Sequence, residues 1–136
     1  MTDRESLAKT LGYLDHVRSA VFRGAHKKMG EIGEDWLSRS QDETPTLEGH
    51  LKRSGQHSLK LAQAGNNYNI KLTLSFGGGI ANDYALYQHE TEGLNHPRGG
   101  GPFYASKPLQ DNIERYLKAL AEQAQKDISS VKPMNF

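Results

Sequence analysis

Apolar residues recur at spacings of three and four through Leu7, Leu11, Leu14, Val17, Val21, Ala25, Met29, Ile32 and Trp36. That period predicts one long helix over the first third of the chain, with a single buried side. Asp3 is the expected N-cap, and Glu5 with Lys9 forms a supportive pair one turn apart. Gly24, Gly30 and Gly33 interrupt the second half, each costing about 1 kcal/mol relative to alanine. They predict a bend or break near Gly30–Gly33, or else a close approach of another backbone. From Ser38 to Thr46 the apolar period stops and Pro45 disfavours helix at Thr44, so a loop is expected there. The stretch 47–58 holds at most one or two helical turns before Gly55.

The pattern then changes period. Tyr68, Ile70, Leu72, Leu74 and Phe76 alternate with Asn69, Lys71, Thr73 and Ser75, which predicts a strand with one buried and one wet face. A preceding strand around Ser58–Ala62 pairs with it through Ala64-Gly65-Asn66-Asn67, since Gly and Asn tolerate the positive φ of tight hairpins. Gly77-Gly78-Gly79 ends that strand, and Ala81–Glu90 offers another, in competition with a helical turn at its start. Thr91–Gly101 is polar, glycine-rich and aperiodic, as in a mobile loop or an arm that orders on a partner. A second helix starts near Ser106–Pro108, with its apolar stripe on Leu109, Ile113, Leu117, Leu120, Ala124 and Ile128, and Pro133 ends it. The expectation is a single α+β domain over 1–136: a long N-terminal helix, a small antiparallel sheet of three to four strands, and a C-terminal helix packed on the sheet, with loops near 38–58 and 91–101.

Composition narrows the function classes. Of 136 residues, 17 are Lys or Arg and 16 Asp or Glu, a net charge of +1 that supplies no global field for nucleic acid. No apolar run approaches the roughly 20 residues of a membrane span, and the first residues lack the basic-then-apolar layout of a signal peptide. Cysteine is absent, which removes disulfides, thiolate metal sites and cysteine nucleophiles together and fits a reducing cytoplasm. Only 35% of residues are hydrophobic, and the 14 glycines add no side chains to a core. A lone monomer of this composition has a thin core.

Catalytic signatures are sparse. His89-Glu90 starts like a helical zinc-protease motif, but position 93 is glycine where a second histidine is needed. His89 and His96 with Glu90 or Glu92 make a conceivable zinc set, weighed against polar residues at a strand end. The two glycine triplets lack both the Gly-Lys-Ser/Thr ending of a P-loop and dinucleotide-fold spacing, and there is no Gly-x-Ser-x-Gly elbow. Arg23, Lys27 and Lys28, with Lys52-Arg53 beside His50 and His57, make a local basic patch that Glu31, Glu34 and Asp35 partly cancel. Aromatic area gathers at Tyr84, Tyr87, Phe103 and Tyr104, divided between core and protein interface. These readings predict no catalytic residue, no metal and no cofactor.

Thr44-Pro45 followed by Glu48-Gly49-His50-Leu51-Lys52-Arg53-Ser54 is similar to the Ala-Pro, Asp-Thr-Gly-x-Leu-x-x-Ser segment after the first helix in small tail-component and neck proteins of tailed bacteriophages. Tyr84-Ala85-Leu86-Tyr87-Gln88-His89-Glu90 resembles that family's Tyr-Ala-x-Tyr-x-His/Glu-Glu strand, and Pro102-Phe103-Tyr104-Ala105-Ser106-Lys107-Pro108-Leu109 its entry to the last helix. The matched positions are Pro45, Gly49, Leu51, Ser54, Tyr84, Tyr87, His89, Glu90, Phe103 and Tyr104. Glu48 stands where threonine is commoner and Pro108 where alanine is, so the local turn and helix start differ. The resemblance implies a virion protein of the head–tail joint: a neck, tail-completion or tail-terminator subunit forming a hexameric ring, assembled in the host cytoplasm. It implies contacts with copies of itself, with connector or stopper proteins and with tail-tube or terminator proteins, with DNA only as cargo in the channel and no membrane. Minor capsid or another phage assembly protein is the nearest alternative. A small metal-dependent hydrolase built on His89, Glu90 and His96, and a DNA-binding accessory protein, are the readings from other classes.

Overall fold

The computed structural model describes residues 2–44, 50–65, 67–77 and 104–132. Helix α1, Asp3–Glu43, has 41 residues and is therefore about 60 Å long. Thr2 caps it rather than Asp3: the Thr2 hydroxyl accepts from the Glu5 amide at 3.1 Å while the Glu5 carboxylate accepts from the Thr2 amide at 2.9 Å. This reciprocal pair satisfies two amides that the first turn otherwise leaves open.

The helix is continuous where the sequence predicted a bend at Gly30–Gly33 and a loop from Ser38. At Gly24 and Gly33 the missing side chain makes room for a neighbour. A Cβ on Gly33 would lie 2.6 Å from His57 Nδ1 and 2.8 Å from Leu72 Cδ1, and one on Gly24 would collide with the Asp127 carboxylate. The close approach is thus by side chains of other elements, not by another backbone. The polar last turns persist because small residues are accommodated there: Ser40 and Thr44 are buried, and the Thr44 hydroxyl donates to the Ser40 carbonyl at 2.6 Å. Gln41 Nε2 also donates to the Lys52 carbonyl at 3.1 Å, joining the end of α1 to the following turn.

That turn is α2, His50–Arg53. Strands β1, Gln56–Ala64, and β2, Asn67–Ser75, form an antiparallel hairpin with pairs running from Gln56 opposite Ser75 to Ala64 opposite Asn67. Gly65 enters the turn with φ +59°, a conformation costly for residues with a Cβ. Tyr68, Ile70, Leu72 and Leu74 are half-buried while Asn69, Lys71, Thr73 and Ser75 are exposed, as the alternation predicted. Among the described residues the sheet has two strands and not three to four, and the expected strand Ala81–Glu90 lies outside them.

Helix α3, Ser106–Ser130, runs antiparallel along α1: Tyr116 meets Asp35 near one end and Asp127 meets Gly24 near the other. The C-terminal helix was expected on the sheet, but its backbone packs on α1. Helix α1 is the common spine, since the hairpin also packs on it. Among the described residues the buried hydrophobic ones are Ile32, Leu51, Tyr104 and Tyr116. Leu51 and Tyr104 cluster with Phe76 and Ala105, and the Phe76 and Tyr104 rings meet edge to face at 5.1 Å and 85°. Trp36 Nε1 donates to the Ala105 carbonyl at 2.7 Å. The core therefore sits at the C-terminal end of α1, where α2, the base of the hairpin and the start of α3 converge.

Candidate functional site

The positions matched by the phage resemblance fall partly in this core. Leu51 is 1% exposed and Tyr104 is equally enclosed, with its hydroxyl pushed by burial to a pKa of about 12. The Ser54 hydroxyl donates to the Leu51 carbonyl at 2.6 Å and accepts from the Gly77 amide at 2.8 Å, so it ties the end of β2 to α2. Pro45, Gly49, Tyr84, Tyr87, His89, Glu90 and Phe103 lie outside the described residues, as do Glu92 and His96 of the weighed zinc set. Among the described residues no three His, Asp or Glu side chains stand where they would hold one metal ion.

The densest polar cluster joins the two long helices. Asp35 accepts from the Tyr116 hydroxyl at 2.6 Å, from Arg115 Nη2 at 2.6 Å and from Arg39 Nε at 2.8 Å, while the Arg115 guanidinium lies 5.0 Å from the Tyr116 ring centre. Burial pushes the Asp35 carboxyl up, but the hydrogen bonds from Tyr116, Arg115 and Arg39 outweigh it and hold the group at about 2. Burial, and then the bond to Asp35, pushes Tyr116 to about 12. A carboxylate so firmly ionised is a weak base, and a phenol so firmly protonated is a weak acid. The cluster is a fastener between α1 and α3.

Within the basic patch read from the sequence, Lys28 is compensated by an acid one turn on. Lys28 Nζ lies 2.7 Å from Glu31, whose carboxyl is lowered chiefly by the hydrogen bond from Lys28. No helix among the described residues is long and apolar enough to cross a membrane.

What the described surface offers instead is apolar area. Below the core, α1, β2 and α3 diverge around an open groove of about 700 Å³. Val21, Phe22, Ala25 and Met29 of α1 form its floor, and Tyr68 and Ile70 of β2 one wall. Leu120 of α3 faces them, with Arg18 the charged residue of the lining. The Phe22 and Tyr68 rings, 4.6 Å apart, stiffen that wall.

No protein-family model, curated protein or solved structure matches the chain. The surface must therefore be read from its own chemistry.

Beyond the groove, the first turns of α1 project past the end of α3 and carry Leu7, Leu11 and Leu14 at 59%, 56% and 49% exposure. Leu61, Ile113, Leu117 and Ile128 are exposed as well. Among the described residues, more large hydrophobic side chains face out than are buried. The sequence placed Leu7, Leu11 and Leu14 on the apolar stripe of the first helix, and the structure leaves them exposed. The stripe outruns what a 25-residue partner helix and a nine-residue hairpin cover.

Proposed function

We propose that this chain is a structural assembly subunit of a tailed-phage virion: a neck, tail-completion or tail-terminator protein that forms a ring with copies of itself. The ring joins the capsid connector or stopper to the tail tube or terminator and surrounds the channel through which DNA passes. The observation that carries this reading is the exposed Leu7, Leu11 and Leu14 ridge continuous with an apolar groove on the same helix. Such a molecule lowers its free energy by covering apolar area in an assembly. The order of motifs that resembles phage neck and tail-component proteins supplies the biological setting. The firmly ionised Asp35 and firmly protonated Tyr116 suit a scaffold, since they hold the helix pair at a fixed register.

Mass spectrometry and cryo-electron microscopy of purified particles test the reading. The expected result is several copies per particle in one layer between capsid and tail. Copies on the capsid shell would assign the alternative, a minor capsid protein. Absence of the chain from particles would remove the virion reading altogether.

A further inference from the structure

We infer that a second concavity, on the opposite side of α1 from the leucine ridge, binds a phosphate-bearing ligand of nucleotide size. Tyr13, His16, Ala20 and Arg23 of α1 line it, and Ser130, Val131 and Lys132 close it at the end of α3. The four α1 positions recur at i, i+3, i+7 and i+10, which puts them on one helix face, about half a turn round from Leu7, Leu11 and Leu14. Apolar assembly on one side of the helix thus leaves this pocket open on the other.

The pocket carries charge of one sign. Arg23, His16 and Lys132 bring cationic or N–H groups to the lining, and the lining holds no carboxylate. None of the three has an ion-pair or hydrogen-bond partner among the described residues. By contrast Arg18 pairs with Asp15, Lys28 with Glu31, and Arg39 and Arg115 with Asp35. The Asp127 carboxylate near the end of α3 lies against Gly24 and accepts from Gln123 Nε2 at 2.9 Å, outside the lining. Capping of α3 does not occupy these groups either. The Asp127 carbonyl already accepts from the Ser130 hydroxyl at 2.8 Å, and the Ile128 carbonyl from the Val131 amide at 3.2 Å.

Size and shape select the ligand. The cavity measures about 340 Å³, and the α1 wall from Tyr13 to Arg23 is about 15 Å long, more than a bare phosphate fills. Arg23 presents a fork of N–H donors and Lys132 a point charge, a combination that suits phosphate oxygens. The Tyr13 ring, at the other end of the wall, offers a face on which a base stacks. Ala20 lies between them and occupies little space.

Titration of the full chain with thymidine monophosphate, followed by backbone amide shifts, tests the site. The expected result is saturable binding with shifts centred on residues 13–23 and 130–132. Thymidine, which lacks the phosphate, should bind about tenfold more weakly or worse. Arg23→Gln with Lys132→Gln should weaken the monophosphate by about tenfold or more, while Lys28→Gln, paired with Glu31 away from the lining, should leave it unchanged. Arg23 and Lys132 are both exposed, so the double variant keeps the fold. A short oligothymidylate separates two sources of the same chemistry: tighter binding than the monophosphate assigns a nucleic-acid strand, and binding no tighter assigns a free nucleotide. No saturable binding of either ligand, an affinity unmoved by the double variant, or equal binding of a short oligoglutamate peptide would overturn the inference. None of these outcomes bears on assembly, which is read from particles and from sedimentation.

Discussion

Asp35 is where the two long helices are held in register, and its chemistry sets how the fold responds to acid. Against burial, the hydrogen bonds from Tyr116, Arg115 and Arg39 hold its carboxyl at about 2 in the folded chain, compared with about 3.9 in an unfolded one. A depressed folded value means that the stabilisation is complete above about pH 4 and is lost as the pH falls towards 2. The side chain is 37% exposed, so screening reduces the contribution to about 1 kcal/mol. Asp35→Asn should lower the urea midpoint at pH 6 and flatten its dependence between pH 4 and 2, when both proteins are unfolded across that range. An Asn variant with the native acid profile would show that the bonds to Tyr116 and Arg115 contribute nothing. None of this was legible in the sequence, where Asp35 figured only as a charge cancelling nearby lysines. Its partners on α3 stand some eighty positions away, and no local period connects them.

At the scale of elements, strands and helices were readable where side chains alternate or recur, and misread where small polar residues are buried. The hairpin follows from strict alternation around Gly65, and α3 from its stripe and the proline in its first turn. The end of α1 was hidden because Ser40 and Thr44 resemble loop residues, yet both are enclosed and bonded along the helix. Partner choice was equally hidden, and so was the covered side of α3: Ile113, Leu117 and Ile128 of its stripe are exposed, while Pro108 and Tyr116, outside the stripe, are buried. The glycines of α1 separate these effects. Gly33→Ala sets a methyl against His57 and Leu72 and should destabilise by about 1–3 kcal/mol. Gly12→Ala, with nothing within 4 Å of the new atom, should stabilise by about 0.5–1 kcal/mol through helix propensity alone. Thermal unfolding of the pair checks this. Equal shifts in the same direction would show that the hairpin does not press on Gly33.

Across the whole molecule, the core gathers at one end of α1 while the other end projects with its leucines exposed. The thin core inferred from composition is therefore localised: the C-terminal half of α1 is packed by its own chain, and the N-terminal half is left with a ridge and a groove. Covering three half-exposed leucines contributes about 3–4 kcal/mol from one surface alone, before the groove side is counted. That is large beside the marginal stability of a small domain. Self-association through these leucines is the central claim, and sedimentation equilibrium tests it most directly. The native chain should give a mass that is a multiple of 15.1 kDa and rises with concentration, while Leu7→Gln, Leu11→Gln, Leu14→Gln combined should give 15.1 kDa with unchanged helix content. A native chain that stays at 15.1 kDa at every concentration would contradict it.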